Sequence, residues 1–97
     1  MSILRNYESG IKESKKLCLS YLKEYKKYEI TSPSQAEYCL EKALGCFDYI
    51  EEWFEKAENF RSSFSDREFA KLVQFRNESK QECINKFAEL GFDTSDL

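Results

Sequence analysis

The chain has 97 residues, of which 41% are hydrophobic and 34% charged, with only three glycines and one proline. This length is typical of one domain, so residues 1–97 are treated as a single unit, and the shortage of turn-forming residues excludes a many-stranded β fold. A net charge of −3 argues against a surface built as a whole for nucleic acid or anionic membrane.

The first predicted helix covers about residues 2–29. Apolar residues recur in it at steps of three and four, from Leu4 and Tyr7 to Tyr25 and Tyr28, which is the spacing of a helix with one buried face. The segment has seven Lys and Arg residues and four Glu residues. It is therefore the basic helix of the chain.

The second predicted helix covers about residues 33–62 and is acidic, with seven Asp and Glu residues against three Lys and Arg. Ser32 is placed to cap it, Pro33 to open it, and Gln35 to complete a capping box. Gly45 lies in its interior, where glycine costs about 0.5–1 kcal/mol relative to alanine. We interpret Gly45 as a point of close helix approach.

The third predicted helix covers about residues 66–90. Ser65 and Glu68 have the spacing of a capping box at its start. Gly91 and Phe92 fit a left-handed C-terminal cap in which Phe92 folds back on the last turn. Residues 91–97 are expected to form a short, frayed acidic tail.

Three amphipathic helices joined by short connections predict an all-α, antiparallel three-helix bundle. The alternative fold is a long helical hairpin that forms a larger bundle by pairing with a second copy. Both folds place the periodic apolar residues in a shared core.

Aromatic residues make up 15% of the chain, and a small bundle cannot bury all of them because they point in different directions. We expect an exposed aromatic patch, and such patches mark interfaces. Its members are Tyr38, Tyr49, Trp53, Phe54 and Phe75. The leading functional prediction is a small regulatory or adaptor module that binds another protein or a second copy of itself, a homodimer.

Seven consecutive polar residues, 76–82, interrupt the apolar pattern of the third helix. Arg76 and Ser79 occupy positions where apolar residues are expected. The segment predicts either a polar layer that fixes helix register or a cleft in which Arg76 and Lys80 bind an acidic partner. A merely exposed midsection is the third interpretation.

The basic helix offers an alternative function. Lys23, Lys26 and Lys27 alternate with tyrosines, so the lysines could bind phosphates while the rings stack on unpaired bases. We weigh this against ordinary packing of the tyrosines beneath a solvated lysine face.

A remote alternative comes from Glu51-Glu52-Trp53-Phe54-Glu55. This run resembles half of the magnesium site of all-α nucleotide pyrophosphohydrolases of the MazG and dUTPase type, which implies a metal-dependent hydrolase with carboxylates holding the cation. That family adds a Glu-x-x-Asp on the following helix, and the chain has none between Phe64 and Leu90.

Catalysis and cofactors are not predicted, because the chain has no histidine and no glycine-rich phosphate loop. The four cysteines, at positions 18, 39, 46 and 83, lack the close pairs of a metal site and are interpreted as small buried hydrophobes. With no apolar run of about 20 residues and no signal-peptide pattern, we expect a cytoplasmic protein that does not enter the membrane.

Overall fold

The computed structural model describes residues 3–97, which form three long helices and no strand. Helix α1 spans Ile3–Tyr28, α2 spans Pro33–Asn59 and α3 spans Asp66–Glu89, with a 3₁₀ turn at Arg61–Ser63 between α2 and α3. The chain is a rod of 49 × 25 × 16 Å. The predicted three-helix bundle is confirmed, while the predicted helix start at residue 2 lies outside the described residues.

Helix α2 runs antiparallel to both α1 and α3, and all three helices pack together within one chain. The backbones of α1 and α2 approach most closely along their length, and those of α2 and α3 least. Because α3 completes the core, the alternative fold of a two-helix hairpin that leaves its core to a second copy is wrong.

The two predicted N-terminal caps have different outcomes. Ser65 accepts a hydrogen bond from the Glu68 N–H at 3.1 Å, and the Glu68 carboxylate accepts from the Ser65 N–H at 2.9 Å, which confirms the capping box. Ser32 makes no side-chain cap bond; its backbone, with φ −149° and ψ 77°, lies outside the extended conformation usual for a cap.

Helix α2 ends at Asn59, three residues before the predicted end at residue 62. The chain then turns through the 3₁₀ segment so that Phe64 enters the core at 5% exposure. The ring of Phe64 packs against Tyr7 and Phe69, with centroids 5.7 and 6.1 Å away. Burial of this one ring accounts for the early end of the helix.

The C-terminal segment is folded back rather than frayed. Gly91 has a φ of +93°, and the Phe92 N–H donates to the Phe87 carbonyl at 3.1 Å, as predicted for the helix cap. The Phe92 ring lies 5.2 Å from that of Tyr25, and Leu97 packs against the core. The expectation of a frayed tail is wrong because these two apolar side chains are partly buried against the bundle.

All four cysteines are buried and none forms a disulfide, which agrees with their interpretation as small core hydrophobes. Cys18 on α1 and Cys83 on α3 are fully inaccessible and interact with each other. A hydrogen bond with Cys83, together with burial, raises the pKa of the Cys18 thiol far above its ordinary value. The Cys18 group is therefore present as a thiol at neutral pH, whereas the same hydrogen bond lowers the pKa of the Cys83 group.

Candidate interaction surface

The aromatic side chains predicted to form one exposed patch lie on different sides of the bundle. Tyr38 and Tyr49 are 48% and 52% exposed, whereas Phe75 is half-buried beside a groove between α1 and α3. Phe54 is only 5% exposed, with its ring centroid 5.5 Å from that of Phe69. Its predicted exposure is wrong because it lies on the side of α2 that faces α3.

Trp53 is half-buried and belongs to the contact between α1 and α2. Its ring covers Gly10 and packs edge-on against Tyr7, with ring centroids 6.1 Å apart. A Cβ atom built on Gly10 would lie 2.8 Å from Trp53 Cε3 and closer still to two other indole atoms. Close helix approach thus occurs at Gly10, and Trp53 serves the fold rather than a free surface.

Arg76, Lys80 and Glu51 form a charged layer between α2 and α3. Arg76 Nη1 donates to both carboxylate oxygens of Glu51, at 3.0 and 3.2 Å, and Lys80 Nζ donates to one at 2.9 Å. The acidic group that Arg76 and Lys80 bind therefore comes from the same chain. This corrects the prediction of a cleft for an acidic partner and agrees with a polar layer between helices.

Two cation–π contacts adjoin the charged layer. The Arg76 guanidinium lies 4.1 Å from the centroid of the Phe54 ring, and the Lys80 ammonium 5.3 Å from that of Phe47. Burial alone would raise the pKa of Glu51, but the hydrogen bond from Lys80 and the charge of Arg76 outweigh it and lower the pKa. The carboxylate is thus held ionised in the folded chain.

The acidic run on α2 does not assemble into a metal centre. Glu51 is engaged by the charged layer, while Glu52 and Glu55 are exposed. Among residues 3–97, no group of three or more Asp, Glu or Cys side chains is arranged to hold a metal ion. The resemblance to the nucleotide pyrophosphohydrolases therefore stays limited to the sequence run.

The three lysines of the alternative function have different surroundings. Lys23 is exposed, Lys26 pairs with Glu29 at 2.7 Å, and the Lys27 ammonium lies 5.5 Å from the ring centroid of Tyr28. The tyrosines between them, at positions 21, 25 and 28, are half-buried. Their rings are partly used in packing, which leaves less surface for stacking on bases.

An open groove of about 370 Å³ lies between α1 and α2, and we call it the Gly45 groove. Its lining residues are Leu17, Tyr21, Glu41, Lys42, Gly45, Cys46 and Tyr49. Apart from its chain neighbours and the adjacent backbone of its own helix, no atom of the described chain lies within 4 Å of a Cβ built on Gly45, and Leu17 beside it is 43% exposed. The interpretation of Gly45 as a point of close approach within the chain is therefore wrong.

Two rows of opposite charge lie on the outer surfaces of α1 and α2, and Lys12 of the first row lines the groove between α1 and α3. The basic stripe on α1 comprises Lys12, Lys16, Lys23 and Lys27, and the acidic stripe on α2 comprises Glu37, Glu41, Asp48 and Glu52. All eight side chains are exposed. Within residues 3–97, the ion pairs of the chain involve none of them.

The sequence holds a signal for this surface in the spacing of Gly45 from two tyrosines. Gly45 lies seven residues after Tyr38 and four before Tyr49, so the three share one side of α2. The contribution of Leu17 was hidden because it comes from another helix. Only the packing of α1 on α2 brings Leu17 beside Gly45.

No helix in the described part of the chain has the length and apolar character needed to cross a membrane. Comparison with protein families, with curated proteins and with solved structures finds no match to this chain. The function is therefore inferred from the shape, exposure and charge of the chain itself.

Proposed function

We propose that this protein is a cytoplasmic protein-interaction module, without catalytic activity or cofactor, that binds its partner through the Gly45 groove. One observation carries the proposal: a helix glycine with open space above it lies between exposed apolar side chains. An interior helix glycine costs about 0.5–1 kcal/mol relative to alanine. At Gly10 the Trp53 ring offsets that cost, and at Gly45 no side chain of the described residues does so.

The surroundings of the groove suit a protein partner. Leu17 and Tyr49 offer apolar surface, and the tyrosine hydroxyl adds a hydrogen-bonding group, a combination that is common at interfaces. Gly45 lets the backbone of α2 be approached closely. The proposed partner element is a helix, because the groove runs along two neighbouring helices.

The test is affinity capture from nuclease-treated and untreated halves of one lysate, with the wild-type chain and with Gly45→Arg as baits. The matched control is Lys71→Glu, a charge change at an exposed position of α3. We expect partner proteins to be recovered by the wild type and the control and lost with Gly45→Arg. Far-UV circular dichroism checks that each bait is folded.

Two results would refute the proposal. Equal recovery of the same proteins by Gly45→Arg would show that they bind elsewhere. Recovery that disappears when the lysate is treated with nuclease would assign the binding to nucleic acid on the basic stripe, where Lys23 and Lys27 lie, and not to the groove.

A further inference from the structure

We infer that a second groove, between α2, the end of α3 and the C-terminal tail, binds a basic segment of a partner protein. The segment presents one large apolar side chain flanked by lysine or arginine residues. This inference goes beyond the proposed function, because it concerns another side of the bundle and does not depend on the Gly45 groove. We call the second groove the Leu44 groove.

The Leu44 groove has an apolar floor. It is open and encloses about 250 Å³, and its lining residues are Leu40, Leu44, Phe87, Phe92, Asp93, Asp96 and Leu97. Leu44 is 38% exposed, and Leu40, Phe92 and Leu97 are half-buried. Small-molecule sites usually enclose about 300–1,000 Å³, so the volume of this groove suits one apolar side chain of a larger partner.

Every charged residue that lines the Leu44 groove is acidic. Asp93 and Asp96 are exposed, and no ion pair within residues 3–97 involves either of them. On α2, Glu37 lies seven residues before Leu44 and Asp48 lies four residues after it, and both are exposed. These spacings place both carboxylates on the Leu44 side of α2. The apolar floor is therefore bordered by negative charge on the α2 side and on the tail side.

The nearby lysines of α2 and α3 lie on other sides of the bundle or are already paired. Lys42 lines the Gly45 groove, and Lys80 is bound to Glu51. Lys86 lies four residues after Glu82, which pairs with a lysine of α1, so Lys86 is on the side of α3 that faces α1. Among residues 3–97, no lysine or arginine lines the Leu44 groove. Electrostatic complementarity therefore favours a cationic segment.

The fold of the C-terminal tail holds the two aspartates beside the floor. The Asp93 carboxylate accepts a hydrogen bond from the Ser95 N–H at 3.0 Å, which lowers the pKa of Asp93 and keeps it ionised. The Leu97 N–H donates to the Thr94 carbonyl at 3.0 Å and closes a turn that contains Asp96. Because both carboxylates are in place before binding, ordering them costs the complex little free energy.

The test is a titration of the isotope-labelled chain with three acetylated and amidated pentapeptides, followed through the amide chemical shifts of the protein. The peptides are Lys-Lys-Phe-Lys-Lys, Lys-Lys-Ser-Lys-Lys and Glu-Glu-Phe-Glu-Glu. We expect only the first to shift the amides around the groove, at Leu44, Phe92 and Leu97, and we expect added salt to weaken its binding. Tyr49→Ala, on the Gly45 groove, should bind this peptide as the wild type does.

Two variants test the carboxylates and the floor separately. Asp93→Asn with Asp96→Asn removes both charges, keeps the side-chain oxygen that fixes the turn, and should weaken binding of the basic Phe peptide at least about threefold. Leu44→Gln removes apolar surface but keeps a good helix former, and should weaken binding by a similar factor. The control, Glu13→Gln with Glu58→Gln, removes two exposed carboxylates elsewhere and should bind as the wild type does.

Four results would overturn the inference. Equal binding of the Ser peptide would mean that the apolar floor is not used, and equal binding by the Asp93 and Asp96 variant would mean that its carboxylates are not used. Shifts that are absent in excess peptide, or that lie only away from the groove, would refute the site. Shifts of the same amides when the wild type alone is concentrated would assign the groove to a second copy.

Discussion

Two helix glycines of this chain meet opposite surroundings. Gly10 on α1 is covered by the Trp53 ring, which a single added methyl group would strike, whereas the space above Gly45 on α2 is open. Both residues weaken their helices by a similar amount. A helix glycine that is covered by a side chain of the same chain contributes to packing. A helix glycine with open space above it leaves a free surface.

The largest effect expected from this comparison concerns the two aromatic side chains beside the glycines. Trp53→Ala removes a half-buried ring from the α1–α2 contact and should lower the free energy of unfolding by about 2 kcal/mol. Tyr49→Ala removes a side chain that is 52% exposed and should change it by less than about 0.5 kcal/mol. Urea unfolding at low protein concentration measures both free energies.

Comparing Trp53→Ala with Tyr49→Ala distinguishes a contribution to stability from a contribution to binding. Capture of partner proteins should decrease for Tyr49→Ala although the fold is intact. A large loss of stability with Tyr49→Ala, or none with Trp53→Ala, would reverse the assignment of the two regions.

Changing each glycine to alanine should have a smaller effect on the free energy of unfolding, and the two substitutions should differ in sign. Gly10→Ala forces the Trp53 ring to move and should cost about 1 kcal/mol by overpacking. Gly45→Ala meets open space and should stabilise the monomer by about 0.5–1 kcal/mol through helix propensity. Thermal unfolding of the two variants under identical conditions makes the comparison, and stabilisation by Gly10→Ala would contradict the packing described.

The smallest expected effect is the pH-dependent contribution of Glu51, on the side of α2 that faces α3, to stability. The pKa of Glu51 is lowered in the folded chain, so its ionised form adds stability above the ordinary value of 4.5. This contribution is lost as the pH falls below that value towards the folded pKa. Glu51→Gln should therefore cost up to about 1 kcal/mol near pH 7, and the difference from wild type should shrink on acidification.

The matched control for Glu51 is its exposed neighbour. Glu52→Gln removes a carboxylate without an ion-pair partner in the described chain, so its effect on monomer stability should be small at every pH. Equal pH profiles for the two variants would mean that the charged layer contributes no stability.

The features predicted correctly from the sequence depend on neighbouring residues. The capping box of Ser65 and Glu68 and the turn at Gly91 are local, and the three- and four-residue steps of the apolar positions define each helix. Such signals need no knowledge of what lies across the bundle. The fold class was therefore within reach of the sequence.

The misassigned residues all depend on contacts between helices. Phe54 and Trp53 are adjacent, and periodicity does not reveal that α3 covers one and Gly10 lies beneath the other. The carboxylate that binds Arg76 and Lys80 comes from Glu51, 25 residues from Arg76.

The buried thiols give this small bundle a built-in reporter of its own motion. Cys18 and Cys83 are inaccessible in the closed chain, so a water-soluble thiol reagent reaches them only while the helices are apart. The rate of labelling at these two positions then follows how often the bundle opens. A partner that binds across α1 and α2 would lower that labelling rate without contacting either sulfur atom.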